Sequence, residues 1–219
     1  CLLDDEPASR AFAISAPELM LRAIDSLDPG RMTIVCGCGG ADRVGVVLPR
    51  LLSGATRLVL DADALNAVAG DTALRRQVRA RAGRNLGTVL TPHPLEAARL
   101  LDTTVAQVQS DRLHAARQLA EECQCTVVLK GSGSIVAAPD GTAAVNPTGN
   151  ARLAVPGSGD VLAGMIGAAL ATGSAPFDAC CQAVYRHGAA ADHWPVGETL
   201  TALELAQRAG AAAQGHAGG

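Results

Sequence analysis

Aromatic side chains are nearly absent: one Trp, one Tyr and two Phe, 2% of 219 residues. Without stacking faces, single-stranded nucleic-acid modules built on aromatic platforms are excluded. Nor is there an excess of positive charge. Lys and Arg number 18 against 21 Asp and Glu, a net charge of −3, so nothing matches a polyphosphate backbone. No apolar run reaches the length of a membrane span, and no secretory signal opens the chain. Neither nucleic acid nor membrane is therefore expected as a partner. The seven cysteines are odd in number: Cys1 stands alone and the other six fall as C-x-C or adjacent pairs, never as C-x-x-C. That spacing suits neither a disulfide framework nor common zinc sites. It predicts reduced, mostly packing cysteines and a cytoplasmic protein.

Apolar residues make up 48% of the chain, enough for one large core of Leu, Val, Ile and Ala. Short continuous apolar runs at 32–36, 57–60, 88–90 and 126–129 read as parallel strands buried on both faces. The segments 134–138 and 142–145 read as a hairpin around Pro139-Asp140-Gly141. Helical patterns are expected at 17–26, 44–52, 73–81, 94–101, 104–123, 161–170, 179–192 and 202–208, with a frayed Ala/Gly tail at 211–219. This alternation predicts a single α/β domain, a mostly parallel sheet with helices on both faces.

In such sheets ligands bind beyond the carboxyl ends of the strands. The polar residues at those ends are Gly39 and Gly40, Asp61 and Asp63, His93 and Glu96, and Lys130 with Gly131. Gly157-Ser158-Gly159-Asp160 precedes an apolar helix. Its unpaired N–H groups would form an anion hole for a phosphoryl group. Asp160 there suits a general base for an attacking hydroxyl, unless it or Ser158 is only a helix cap. Lys130-Gly131-Ser132-Gly133-Ser134 offers N–H groups, hydroxyls and a point charge for phosphate or ribose, or is a surface turn. His93 could read a ligand amide or hydroxyl, and Glu96 could hold Mg2+ through water or merely suit the helix dipole. Asp61 and Asp63 are a metal or base pair, or caps for a helix at 64–68. His187 and His193 lack the spacing of zinc ligands and read as structural or exposed. His114 and His216 read as solvated, and Trp194 and Tyr185 as packing residues.

Taken together, three stretches resemble the NAD(P)H-hydrate dehydratases of the ribokinase-like superfamily. They are Val59-Leu60-Asp61-Ala62-Asp63-Ala64-Leu65-Asn66, then Leu90-Thr91-Pro92-His93-Pro94-Leu95-Glu96, then the region from Val127 through Asn146-Pro147-Thr148-Gly149-Asn150 to Gly157-Ser158-Gly159-Asp160. The likeness runs from about Pro17 to about Leu205. It departs from the family at Leu95, at Ala151-Arg152-Leu153 and at Pro156.

The resemblance implies a ribokinase-like three-layer sandwich that here lacks its N-terminal strand region. It implies an ADP-dependent lyase that restores NADH or NADPH from the S-form of the hydrate. The hydrate hydroxyl is phosphorylated and phosphate then leaves. By this resemblance Asp160 is the base, and Gly157, Ser158 and Gly159 form the anion hole. Lys130, Gly131, Ser132, Gly133, Ser134 and Gly159 hold ADP (or ATP). Gly39, His93 and Asp160 touch hydrated NADH or NADPH, and Glu96 sits near Mg2+. A homotetramer and a fused or partner epimerase domain are implied too, the latter in keeping with a start at Cys1 rather than Met. The alternatives are a small-molecule kinase of the same superfamily and a non-catalytic adenine-nucleotide-binding module.

Overall fold

The structure is a computed structural model that describes residues 19–211. Six strands form one sheet in simple sequential order. The first four, β1 (Thr33–Cys36), β2 (Arg57–Leu60), β3 (Gly87–Leu90) and β4 (Thr126–Leu129), pair in parallel. Parallel pairing needs long crossovers, and helices supply them. The crossover from β1 to β2 is α1 (Arg43–Gly54). That from β2 to β3 holds α2 (Asp63–Gly70) and α3 (Thr72–Ala80). From β3 to β4 the chain passes through α4 (Pro94–Leu100), α5 (Val105–Ser110) and α6 (Arg112–Cys123). Only residues 130–134 separate β4 from β5 (Ile135–Ala137), too few for a crossover, so β5 turns back antiparallel. β6 (Ala143–Val145) completes the expected hairpin. The chain then leaves the sheet for α7 (Ser158–Ala171), α8 (Pro176–Asp192) and α9 (Ala202–Ala211).

Alternation along the strands sorts the core into two layers. Leu58 and Leu60, with Leu90, Val127 and Leu129, face the helices of the crossovers, through Leu48, Leu51, Leu65 and Leu119. Val59, Val89, Val128 and Val136 face the other way, onto Leu162, Ile166 and Leu170 of α7 and Ala179 and Val184 of α8. Burial on both faces of β2, β3 and β4 explains why those runs read as continuous rather than alternating; β1 is corrected, since among the described residues it lies at the sheet edge with Val35 exposed and only Cys36 buried. Small aliphatics suffice because the layers pack closely. Leu58, Leu60 and Leu129 are each 0% exposed, and truncating any to Ala should cost about 2–5 kcal/mol. Among the described residues no helix is long and apolar enough to cross a membrane.

Two expected helices are corrected. Of the helix expected at 17–26, residues 17 and 18 lie outside the described residues. The rest holds no α-helix: a single bridge residue, Ala23, is followed by a 3-10 turn, Ile24–Ser26, with no buried residue. Leu19 and Met20 there are exposed, so no apolar face is available to stabilise a helix. The helix expected at 104–123 is two. Asp111 adopts φ −147° and ψ 80°, and its side chain accepts a hydrogen bond from the His114 N–H, capping α6. Thr104 caps α5 with Gln107 in a reciprocal box. Two good caps outcompete one continuous ladder. The end of α9 is at Ala211, and the tail from 212 lies outside the described residues.

Candidate functional site

The strand ends and the α7 terminus meet around a cavity of about 740 Å³. Its lining includes His93, Lys130, Gly131, Ser132, Gly133, Ser134, Ser158 and Gly159, all singled out from the sequence. Asp160, Gly39, Gly157 and Glu96 do not line it.

The 130–134 loop owes its shape to a side chain that the sequence reading passed over. Arg112, at the start of α6, reaches under the loop. It donates to the carbonyl of Ser132 and, through Nη2, to those of Leu129 and Lys130 at 3.3 Å each. Burial pushes its guanidinium pKa down from the usual value. With those carbonyls turned toward Arg112, the Lys130 N–H donates to Pro92 O at 2.8 Å.

Lys130 is not the surface lysine of a flexible turn. Its Nζ lies 2.6 Å from Asp61 Oδ1, with the two side chains 18% and 1% exposed. A Cβ placed on Gly159 would come within 3.3 Å of the same Nζ. Lys130 thus joins the end of β2, the end of β4 and the start of α7. Asp61 is no helix cap: its Oδ1 also accepts from the N–H of Ala62, and its Oδ2 is buried without a partner. Ala62 itself sits at φ 48°, ψ −113°, a conformation that L-residues rarely adopt. Asp63 instead ties down the β1–α1 loop, accepting from the Ala41 N–H at 2.7 Å.

α7 begins at Ser158, so Ser158, Gly159 and Asp160 form its first turn rather than a turn ahead of it. The cap position belongs to Gly157, at φ 83°, with no side-chain capping bond. Neither Ser158 nor Asp160 caps the helix. Among the described residues no acceptor partners the N–H groups of Gly159 and Asp160. They stand at the positive end of the helix, as an anion site requires. The Asp160 carboxylate lies within 4.8 Å of the Asp61 carboxylate and the Cys38 sulfur. Cys38 follows β1 and is exposed, unlike the buried Cys36, Cys125 and Cys180. It is an exception to the packing role expected for most of the cysteines. Although the residue as a whole is exposed, its sulfur is turned inward, and desolvation there, then the charges of Asp160 and Asp61, push the thiol up to about 12. Gly39, its neighbour in the chain, is exposed with open space where a Cβ would stand.

His93 and Glu96 form a capping box at the start of α4. His93 Nδ1 accepts from the N–H groups of Leu95 and Glu96, and Glu96 Oε2 accepts from the His93 N–H at 2.7 Å. His93 Nε2 lies 3.2 Å from Glu96 Oε1. The buried Glu96 is thus held through Oε2, with Oε1 close to the His93 ring, which lines the cavity.

The far wall is the segment 146–155, which had been noted only as part of a motif. Asn146 Nδ2 donates to Val184 O, Thr148 Oγ1 to Tyr185 O and Asn150 Nδ2 to Ala191 O, all on α8. The Gly149 N–H donates to Asp192 Oδ2 at 2.8 Å. His187, read as structural or exposed, is buried, lines the cavity and donates from Nε2 to Ser158 O at 2.9 Å. Burial lowers its pKa, a shift partly offset by that hydrogen bond. Of the other residues, His114 and His193 are exposed and Trp194 is packed, with Arg208 over its ring at 4.3 Å. Tyr185 is exposed rather than packed. His216 lies outside the described residues.

A family model described as NAD(P)H-hydrate dehydratase matches residues 28–211. The chain is 49% identical, over 189 residues, to an ADP-dependent (S)-NAD(P)H-hydrate dehydratase of Neisseria meningitidis, covering 83% of this chain and 62% of that protein. It is 44% identical, over 135 residues, to a bifunctional NAD(P)H-hydrate repair enzyme of Escherichia coli, covering 62% of this chain and 24% of that one. The chain therefore spans under two thirds of the length of these relatives. Among solved structures it resembles the ADP/ATP-dependent NAD(P)H-hydrate dehydratase of Bacillus subtilis co-crystallized with ATP/Mg2+, at TM-score 0.77 and 30% identity. That likeness covers 94% of this chain and 75% of the other. A ribokinase-like superfamily protein of Enterococcus faecalis shares the fold at TM-score 0.72 and 20% identity.

Proposed function

Because this chain belongs to the NAD(P)H-hydrate dehydratase family, we propose that it is an ADP-dependent lyase that returns the S-form of hydrated NADH or NADPH to the reduced dinucleotide. One observation carries the reading: Lys130 is shared by two half-sites. It lines the cavity with Gly131, Ser132, Gly133, Ser134 and Gly159, and it pairs with Asp61, whose carboxylate lies beside that of Asp160. A nucleotide phosphate held on the first set would then stand next to a base in the second.

In this reading ADP (or ATP) occupies the cavity. Lys130 and the free N–H groups of Gly159 and Asp160 take the charge of the phosphoryl group in flight. Gly157, as the glycine cap of α7, leaves those N–H groups pointing outward, and Ser158 is held from behind by His187. The hydrate enters beside Gly39 and the His93 ring. Asp160 removes the proton of its hydroxyl as the oxygen attacks the terminal phosphorus of ADP, and AMP departs. The phosphate then leaves with the C–O bonding pair, a proton is lost from the ring, and the double bond returns. A hydroxide is a poor leaving group and phosphate a good one, which is why the nucleotide is needed.

Mg2+ would neutralise the phosphate oxygens when the nucleotide is bound. Glu96 fits a role through water better than direct ligation, because it is buried, does not line the cavity and has Oε2 held by the His93 N–H. A homotetramer, a cytoplasmic setting and a fused or partner epimerase domain remain part of the proposal. The name of the Escherichia coli relative, a bifunctional repair enzyme, supports a second activity in that protein.

The test is product analysis. Hydrated NADH, ADP and Mg2+ incubated with the chain should yield NADH, AMP and inorganic phosphate in equal amounts. Accumulation of a stable phosphate ester with no NADH would instead indicate a small-molecule kinase. Binding of ADP with no product of any kind would indicate a nucleotide-binding module.

A further inference from the structure

Asp61 leaves a question that the phosphoryl chemistry does not answer. The residue is 1% exposed, its Oδ1 is taken by Lys130 and by the Ala62 N–H, and its Oδ2 is buried with no partner. An unsatisfied carboxylate oxygen in a protein interior is costly unless something fills its coordination. Beside it lie a thiol and a second carboxylate. One ligand atom from each of Cys38, Asp61 and Asp160 falls within 4.8 Å of the others.

We propose that Cys38, Asp61 and Asp160 form a site for a thiophilic divalent cation of the zinc class. The donor set decides the class. Mg2+ prefers six oxygens in octahedral array and does not select a sulfur ligand. Zn2+ accepts one thiolate with carboxylates and a water at tetrahedral geometry, with Zn–S near ~2.3 Å and Zn–O about 2.0–2.2 Å. Those bonds place ligand atoms about 3.5 Å apart, so the present cluster must close by about 1 Å. Cys38 is exposed on the loop after β1, which gives a cation access from solvent, and its thiol already hydrogen-bonds Asp160. The charges also balance. On binding, the thiol releases its proton to solvent as the metal–sulfur bond forms. The thiolate and two carboxylates then face one dication and the Lys130 ammonium, a net of zero.

The site has a consequence that rests on the reading of Asp160 as the base. A cation bound there withdraws the carboxylate from proton transfer, so zinc would inhibit turnover. Binding itself does not depend on that reading, and it is tested first.

Cd2+ is the probe, because its thiolate complexes absorb in the ultraviolet. The full chain and Cys38→Ala are titrated with Cd2+ and then challenged with Zn2+. Cys123 and Cys125, whose side chains hydrogen-bond each other, give the same background in both proteins. The unsubstituted chain should take one equivalent more than Cys38→Ala, and Zn2+ should displace it. Asp61→Asn should weaken that equivalent by at least about 10–100-fold, the range seen when even outer partners of a ligand are removed. Equal stoichiometry in the two proteins, or a Cd2+ equivalent that Zn2+ cannot displace, would overturn the site. Should Asp61→Asn fail to fold, the Cys38→Ala comparison decides alone. Intact cadmium binding without inhibition of turnover would overturn the role given to Asp160 and leave the metal site standing.

Discussion

Replacing Lys130 by Met separates what that residue does for the fold from what it does for the ligand. The substitution keeps the length of the side chain and removes its charge, leaving Asp61 buried at 1% exposure with no counter-ion. Breaking a buried pair by deleting one partner costs about 3–5 kcal/mol. Lys130 keeps 18% of its side chain in contact with solvent, so water screens part of the interaction and the low end, about 3 kcal/mol, applies. For a domain of this size that is a fall in Tm of about 6–12 °C. Adding Asp61→Asn removes the stranded charge and should restore most of the loss, because an ion pair exchanged for a neutral pair is close to neutral in stability. Nucleotide affinity should not recover. Both the single and the double variant lose the cation at the cavity, and each should bind ADP at least about tenfold more weakly by calorimetry, some 1.4 kcal/mol. The reasoning fails if Lys130→Met melts with the parent, or if the double variant regains both stability and ADP affinity. The second outcome would mean that Lys130 serves the site only by holding the sheet together.

Asp160→Asn should abolish turnover while ADP affinity by calorimetry stays within about threefold; unchanged turnover removes Asp160 as the base. Arg112→Ala strands the carbonyls of Leu129, Lys130 and Ser132 and should loosen the 130–134 loop. The KM for ADP should rise about tenfold with kcat nearly unchanged, matching the ~1.5 kcal/mol of a charged hydrogen bond; a fall in kcat alone contradicts the positioning role. His187 has a pKa below its ordinary 6.5 in the folded chain, chiefly through burial. The unfolded chain therefore binds the proton first, and stability that is full above about 6.5 drops as pH falls toward the lower folded value. Denaturant melts of His187→Gln, which retains a donor for Ser158 O, should show a smaller loss between pH 7 and 5 than the parent; parallel curves refute the account. A methyl group added by Gly188→Ala would overlap the side chain and backbone of Thr148. It should push the 146–150 loop off α8 and lower Tm by several degrees, and a Tm equal to the parent's would refute that close approach.

The layout of the fold was open to reading because its signals are local. Buried parallel strands show as short apolar runs, and Pro139-Asp140-Gly141 announces its own turn. The sequence also placed Gly157-Ser158-Gly159-Asp160 at a helix start, missing only that the helix begins at Ser158 rather than Val161. Apolar spacing runs straight across residues 104–123, so the break at Asp111 was hidden: an Asp inside a helical pattern and an Asp at a cap look alike until its side chain is placed. Side chains that act at a distance left no local trace. Arg112 reaches Ser132 from 20 residues away, Lys130 reaches Asp61 from 69, and Arg81 is buried with its guanidinium on Leu52 O, Ala55 O and Thr88 Oγ1. Residue type does not distinguish Cys38 from the packing cysteines; only the loop after β1 sets it beside two carboxylates. His187 was set aside because its spacing from His193 forbids a zinc pair, although its partner is a backbone carbonyl on another helix.

The most direct test of the whole account follows the return of NADH absorbance from hydrated NADH with the chain, Mg2+ and ADP, beside a mixture lacking ADP and one containing Asp160→Asn. Recovery that needs ADP and vanishes with Asp160→Asn is the predicted result. Recovery without ADP, or no recovery from a chain that binds ADP, would contradict it.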